Sequence, residues 1–284
     1  MARAVIGLCV HNSEPGLPAV FENIRVITPL FKALKVIIAY DNSEDRSWEL
    51  VKDFQAERGP QNVEIHTDTN RGAIVRTHRI ANSRNEILKR IRFIYPDYEY
   101  FMMMDCNEYS CVGPIRPAVL EGILARDDWD AVSFDREAGY YDYWALSYDP
   151  FIYSIYHFNS NKNVHAIMRE DFEKRLAEAR AADPEALISV FSAFNGFAIY
   201  RTPVFLDCSY SWQIEMKYFP MDIVFKQTFM LDANIRDLLL DDCEHRKFHM
   251  EAVHEKGARV RVSVQSLFGK AGPAPAGVKR RGPA

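Results

Sequence analysis

The chain has 284 residues, 48% of them hydrophobic and 26% charged, with a formal net charge of −4. That balance supplies a core for one large α/β domain or two small ones, and it excludes a chain disordered throughout. The mildly acidic charge argues against nucleic-acid binding as the main task, and no stretch is apolar for long enough to span a membrane. Five cysteines without a repeated spacing make neither a disulfide framework nor a zinc site, and they point to reduced thiols in a cytoplasmic setting.

Ala4 to Val10 is a compact apolar run that predicts a buried first strand rather than a signal peptide. Leu17, Val20, Phe21, Ile24, Ile27, Phe31 and Leu34 then recur at helical spacing, with a kink or break expected at Pro29. Lys35 to Tyr40 predicts a second buried strand ending at Asp41. Ser43 to Glu57 predicts a second helix, closed by Gly59-Pro60. Val63 to His66 is a short third strand and Thr77 to Phe93 a third helix. The stretch from Tyr98 to Tyr109, YEYFMMMDCNEY, then runs as an apolar and aromatic strand that stops at Asp105. This alternation predicts a parallel sheet with right-handed crossovers and helices on both faces.

The second half has a different texture. Asp130 to Phe134 predicts a strand, Tyr140 to Ser147 is rich in aromatic rings, and Met168 to Ala182 is a charged surface helix. Val190 to Arg201 carries a polar, flexible turn at Asn195-Gly196 followed by a strand. Asp241 to His245 opens a short helix, and Ala258 to Val264 alternates as a half-exposed strand. From Lys270 the Pro, Gly, Ala and basic residues predict a disordered tail. With no internal repeat and no linker, the expectation is one domain over residues 1–269. Residues 1–110 form its nucleotide-binding half and 111–269 its acceptor half, and 270–284 form the tail.

Open α/β sheets bind ligands outside the carboxyl ends of their strands. Asp105 and Asn107 therefore place two oxygen donors at the mouth of the sheet, a pairing that suits Mg2+ or Mn2+ and, through the metal, phosphate. A polar turn after a buried strand accounts for the same residues. The first strand–helix loop holds a single glycine, Gly16, so neither glycine-rich phosphate motif is present. Asp41 is placed to bond a ribose hydroxyl or a base edge, or else to cap a turn. Arg71, Arg76, Arg79 and Arg84 gather at the start of the third helix, where guanidinium groups and free backbone N–H groups both favour phosphate. Arg79 and Arg84 are preferred over Arg76. Glu244 can serve as a general base with His245 as metal ligand or tuner, or can simply open a helix. Asp142, enclosed by rings that would raise its pKa, is the competing base.

Taken in order, the glycine-poor βαβ half, Asp-x-Asn at a strand end, Tyr-Tyr-Asp-Tyr-Trp-Ala-Leu, Ala-Phe-Asn-Gly-Phe-Ala-Ile-Tyr-Arg and Cys-Glu-His resemble one family. The chain is similar over about residues 4 to 264 to nucleotide-sugar-dependent glycosyltransferases of the GT-A fold. The nearest likeness is to those of large DNA viruses of algae, and a more distant one to fungal capsule-associated mannosyltransferases. The resemblance implies a Rossmann-like, mostly parallel sheet flanked by helices in a single domain. It implies a sugar-nucleotide donor, often a UDP-sugar, a glycan or glycoprotein acceptor, and Mn2+ or Mg2+. It places the donor at Asp41 and Asp105, the metal at Asp105 and Asn107, and the base at Glu244 with inversion, and the residue reading adds Arg79 and Arg84 to the donor site and His245 to the metal. Asn195, Gly196 and Trp144 would shape the acceptor site. Where the family more usually has an acid, this chain has Asn107. A viral enzyme of this kind would work in the host cytoplasm. A sugar nucleotidyltransferase would want a glycine- and lysine-rich first loop, and a phosphatase a second acid at position 107. A non-catalytic sugar-binding protein is the remaining rival.

Overall fold

A computed structural model describes residues 1–68, 70, 72–153, 162–231 and 241–270. Four strands, β1 (Arg3–Val10), β2 (Ala33–Tyr40), β3 (Val63–His66) and β4 (Tyr100–Asp105), alternate with α1 (Leu17–Ile27), α2 (Ser47–Arg58) and α3 (Arg76–Ile94). Then follow α4 (Pro117–Leu124), β5 (Ala131–Asp135), α5 (Lys162–Ala182), β6 (Leu187–Val190), β7 (Phe197–Arg201) and the single turn α6 (Thr202–Phe205). The described chain closes with α7 (Met221–Leu231), α8 (Glu244–Lys256) and β8 (Val260–Ser266). All eight strands join one sheet in the order β3-β2-β1-β4-β7-β5-β8-β6. The pairs from β3 to β4 are parallel, as is β5 with β8, while β7 runs antiparallel to both its neighbours and β6 antiparallel to β8. The chain is thus an α/β domain built on a mostly parallel sheet.

Strand alternation sorts the core into two layers. Val5, Ile37, Phe101 and Met103 face one way and pack with Ala81, Ile87, Leu88 and Ile91 of α3. Ala4, Ile6, Leu8 and Val36 face the other way and pack with Leu17, Val20, Phe21 and Ile24 of α1. Helices therefore cover both faces. Asp105 continues the α3-facing series of β4, so the same alternation that buries Phe101 and Met103 aims its carboxylate at α3.

Several elements differ from expectation for local reasons. Helix α1 ends at Ile27 and a 3-10 turn, Thr28–Leu30, carries Pro29, which has no N–H to continue the helix. Helix α2 starts at Ser47, not Ser43, because the β1 loop captures the residues between. Ser13 N–H donates to Ser47 Oγ at 2.8 Å, Glu44 N–H to Asn12 Oδ1 at 2.8 Å, and Glu14 N–H to Asp45 Oδ2 at 3.0 Å. Strand β8 is interior and not half-exposed: β5 and β6 flank it, and Val260, Val262 and Val264 are all buried. The Asn195-Gly196 turn is neither exposed nor loose, since Asn195 is buried and held by four hydrogen bonds. Helices α4 and α7 and strand β6, short and without a clear period, had no counterpart in the sequence pattern. The tail from residue 271 lies outside the described residues. All five cysteines are free, and among the described residues no helix is long and apolar enough to cross a membrane.

Gly16, the lone glycine of the first loop, sits against the backbone just beyond β4. A Cβ there would lie 2.3 Å from the Cys106 carbonyl oxygen and 2.7 Å from that of Asn107. Gly16→Ala should therefore cost about 1–3 kcal/mol by overpacking. Urea denaturation would read this as a lower midpoint at unchanged slope, and an unchanged midpoint would show that the two loops separate freely.

Candidate active site

A cleft of about 310 Å³ opens at the carboxyl ends of β1, β2 and β4, walled on one side by the first turns of α3. It lies where the strand order reverses between β1 and β4, the crevice in which open α/β sheets bind ligands. His11, Asp41, Arg76, Arg79, Asp105 and Asn107 are among its lining.

Beneath the cleft lies a buried ion triad. Arg84, 3% exposed, donates from Nη2 to Asp105 Oδ1 at 3.1 Å and from Nε to Glu244 Oε1 at 2.8 Å. Its guanidinium also lies 4.5 Å from the Phe194 ring centroid and 5.8 Å from that of Tyr210. Burial disfavours the arginine's charge, but the Glu244 and Asp105 carboxylates more than offset it, so the side chain holds its proton more tightly than usual. Burial pushes the Asp105 carboxyl above its ordinary value against the pull of Arg84. Arg84 lines the cleft, but its guanidinium is enclosed and doubly paired, as an internal counterion is. Glu244, 5% exposed, opens α8 and turns its carboxylate inward to Arg84 rather than to the cleft.

At the rim, Asp41 Oδ2 accepts from Arg79 Nε at 2.9 Å and from Nη2 at 2.5 Å. His11 at the end of β1 adds a third member, with Nδ1 3.9 Å from the same oxygen. The sequence reading passed over His11, although its place just past a strand end matches that of Asp41. Arg76 is exposed and makes no hydrogen bond or ion pair among the described residues. It lies close enough to Asp105 for its charge to draw that carboxyl downward. Arg76, Arg79 and Arg84 all line the cleft, the last two paired with carboxylates. Arg71 lies outside the described residues.

The three expected metal ligands do not assemble. Asn107 Oδ1, the atom that would ligate, already accepts from Tyr109 N–H at 3.2 Å, Ser110 N–H at 2.8 Å and Ser110 Oγ at 2.6 Å. Its amide nitrogen faces Asp105 Oδ2 at 3.4 Å. Asn107 is the hinge of a side-chain-bonded turn, and its metal assignment is corrected on that ground. His245, 1% exposed, stacks on Phe194 at 3.8 Å, and neither ring nitrogen has a hydrogen-bond partner. Its Nε2 is 3.5 Å from Glu244 Oε1, and burial followed by the Arg84 charge keeps the imidazole neutral. Enclosed in that way it cannot reach an ion in the cleft, so the His245 assignment is corrected too. Among the described residues no cluster of three His, Cys, Asp or Glu could hold a metal ion. Of the three expected ligands, Asp105 alone keeps a carboxylate oxygen, Oδ2, that Arg84 does not take.

On the far side of Asp105, Asp142 is half-buried. It accepts from Ala145 N–H at 3.2 Å and Asn195 N–H at 3.3 Å. Burial, joined by the Asp105 and Glu244 charges, pushes its pKa to about 6. Asn195, with φ 55°, accepts from Tyr141 and Asp142 N–H through Oδ1 and donates to the Phe134 carbonyl at 2.8 Å. It fixes the Asp142 loop from within. Gly196 is needed for closeness: its φ is 90°, a Cβ would lie 2.7 Å from Ser110 Cβ, and its carbonyl accepts from Asp105 N–H at 2.8 Å. Trp144 is half-buried against the core, with its carbonyl accepting from Arg246 Nη2.

Residues 5–105 match the family model described as glycosyl transferase family 2, a span that begins in β1 and ends at Asp105. No curated protein matches the sequence. Several solved structures align with low identity. The 1–349 fragment of S. aureus TarS aligns over 94% of this chain and 60% of its own, at 14% identity and a TM-score of 0.46. The mannosyltransferase PcManGT from Pyrobaculum calidifontis, in complex with GDP-Man and Mn2+, aligns over 97% of this chain and 58% of its own, at 14% identity and a TM-score of 0.49. Glucosyl-3-phosphoglycerate synthase from Mycobacterium tuberculosis, in complex with Mn2+, UDP and glucosyl-3-phosphoglycerate, aligns over 84% and 74% at 9% identity and a TM-score of 0.40. The chain thus spans less than two thirds of the TarS fragment and of PcManGT.

Arg84→Ala should destabilise the fold by about 3–5 kcal/mol, because it strands two carboxylates in the interior. Burial already raises the Asp105 carboxyl, and without the arginine's pull it holds its proton more tightly still when folded than unfolded, so the added stability of its protonated form is present at low pH and lost as pH rises. The deficit against wild type, measured by thermal unfolding, should shrink on acidification from neutral pH. A pH-independent deficit would mean lost packing alone.

Proposed function

We propose that the chain is a GT-A-type glycosyltransferase that moves a sugar from a nucleotide-sugar donor, a UDP-sugar by preference, to a hydroxyl of a glycan acceptor. The observation that carries this is the family 2 match over residues 5–105, which covers β1 through β4 and stops at the carboxylate flooring the cleft. The nucleoside would lie along the β1–β2 rim by Asp41, Arg79 and His11, with the diphosphate toward the start of α3. Asp142 would take the acceptor proton. Between the two candidate bases, Asp142 is half-open while Glu244 is buried and paired with a guanidinium. A pKa of about 6 leaves Asp142 mostly ionised at neutral pH yet basic enough to accept a proton. An in-line base of this kind gives inversion at the anomeric carbon. Five free cysteines fit a reducing, cytoplasmic setting.

Release of UDP from a panel of UDP-sugars tests the assignment, and no release or transfer with any donor would favour a sugar-binding module. Within the assignment, kcat/KM should rise with pH through about 6 and then level, because Asp142 must be unprotonated to act. Asp142→Asn should lose about a hundred- to ten-thousand-fold in transfer while retaining donor binding. Glu244→Gln, measured beside it, should transfer at a substantial fraction of the wild-type rate. A dead Glu244→Gln with a near-normal Asp142→Asn would reverse the roles. If both variants retained transfer, a retaining mechanism would follow, and the anomeric configuration of the product by NMR would settle it.

A further inference from the structure

We propose that donor binding and cleavage in this chain need no divalent cation, and that the Arg76 guanidinium supplies the positive charge to the leaving diphosphate. The inference rests on the glycosyl-transfer assignment above and concerns the same cleft. Three observations support it. The side-chain oxygen of Asn107 is saturated by three donors of its own turn, so binding an ion through it would break that turn. His245 is sealed between Phe194 and the Glu244–Arg84 pair. Asp105, the one carboxylate left, already has a resident cation on Oδ1.

The charges around the cleft lead to the same assignment. A cleft floored by two unpaired carboxylates must import a cation before it can take a diphosphate. Here Asp105 and Glu244 share Arg84, Asp41 pairs with Arg79, and Arg76 is the remaining unpaired guanidinium of the wall among the described residues. Formally these three acids and three arginines balance, and Arg76, exposed at the open end, is the one positive charge among them with no carboxylate bonded to it. Arginine is suited to the task, since its planar fork donates to two phosphate oxygens at once and stays charged at any working pH. In the step itself the acceptor oxygen bonds to the anomeric carbon and the bond from that carbon to the diphosphate oxygen breaks. The bonding pair leaves on the nucleoside diphosphate, opposite Arg76, and the acceptor proton goes to Asp142.

Calorimetric titration of UDP and of GDP into the full chain, with excess EDTA and then with excess Mn2+, tests the inference on wild type, Arg76→Ala and Arg76→Lys. The nucleotide that binds wild type should do so within about threefold of the same affinity in the two buffers. Arg76→Ala should weaken it by about tenfold or more in both, the loss expected for one charge-assisted contact, and Arg76→Lys should fall between. Arg76 is exposed, so unchanged thermal unfolding of the variants will separate lost binding from lost fold. A tenfold or larger gain with Mn2+ overturns metal independence and leaves glycosyl transfer standing. Full binding by Arg76→Ala overturns the role of Arg76 alone. If neither nucleotide binds in either buffer, the inference fails together with the functional assignment.

Discussion

One buried guanidinium ties the site to the fold. Arg84 comes from α3, Asp105 from β4 and Glu244 from the start of α8, so a single cation joins the parallel half of the sheet to the last helix. A charge taken out of water is tolerated only when it is paired and its donors are used, and removing any one partner exposes the others to the full cost of desolvation. The triad therefore fixes where Asp105 points, and with it the floor of the cleft. A second buried arginine works in parallel two residues further along α8. Arg246, fully buried, pairs with Asp242 at 2.9 Å and donates to Ser147 Oγ and to the Trp144 carbonyl. Helix α8 thus anchors the floor of the cleft through Glu244 and the aromatic loop through Arg246.

These two anchors explain how a loop without regular structure can hold a reactive carboxylate. Residues 140–148 belong to no helix or strand, yet Tyr140, Tyr143, Ala145, Leu146 and Tyr148 are all buried. Asn195 satisfies the Tyr141 and Asp142 amides from one side, while Arg246 holds the Trp144 and Leu146 carbonyls from the other. The loop is rigid because its backbone polar groups are paired inside the protein rather than with water. That enclosure is also what raises Asp142 toward neutrality, so the packing that orders the loop tunes its acid.

The same economy of charge separates the chemistry of Asn107 from that of an acid in its place. An amide can both accept from the turn it closes and donate toward Asp105, whereas a carboxylate could only accept and would repel its neighbour. With Asn the turn after β4 is self-sufficient. The cleft wall then carries arginines beside Asp105 rather than a second acid.

The sequence by itself determined the alternating strands and helices up to Asp105, the burial of each strand and the place of the cleft. Those follow from local periodicity and from the rule that ligands meet such sheets at their carboxyl ends. It also marked Asp41, Asp105, Asp142 and Glu244 as the acids of interest, since each sits at an element end or among rings. Only the tertiary structure decided what each side chain touches. Arg76, Arg79 and Arg84 look alike in a helical repeat. Yet one full turn or two along α3 separates the open rim from the core, so Arg76 is exposed, Arg79 is matched to Asp41 and Arg84 is sealed between two carboxylates. Asn195-Gly196 reads as a loose surface turn because the residues that bury it, Phe134, Tyr141 and Asp142, lie more than fifty positions away. The partners of β8 were equally out of reach, because strand pairing between β5, β6 and β8 is a contact between distant segments. Local pattern states which residues are apolar; whether a polar one is open or spent depends on what the fold brings against it.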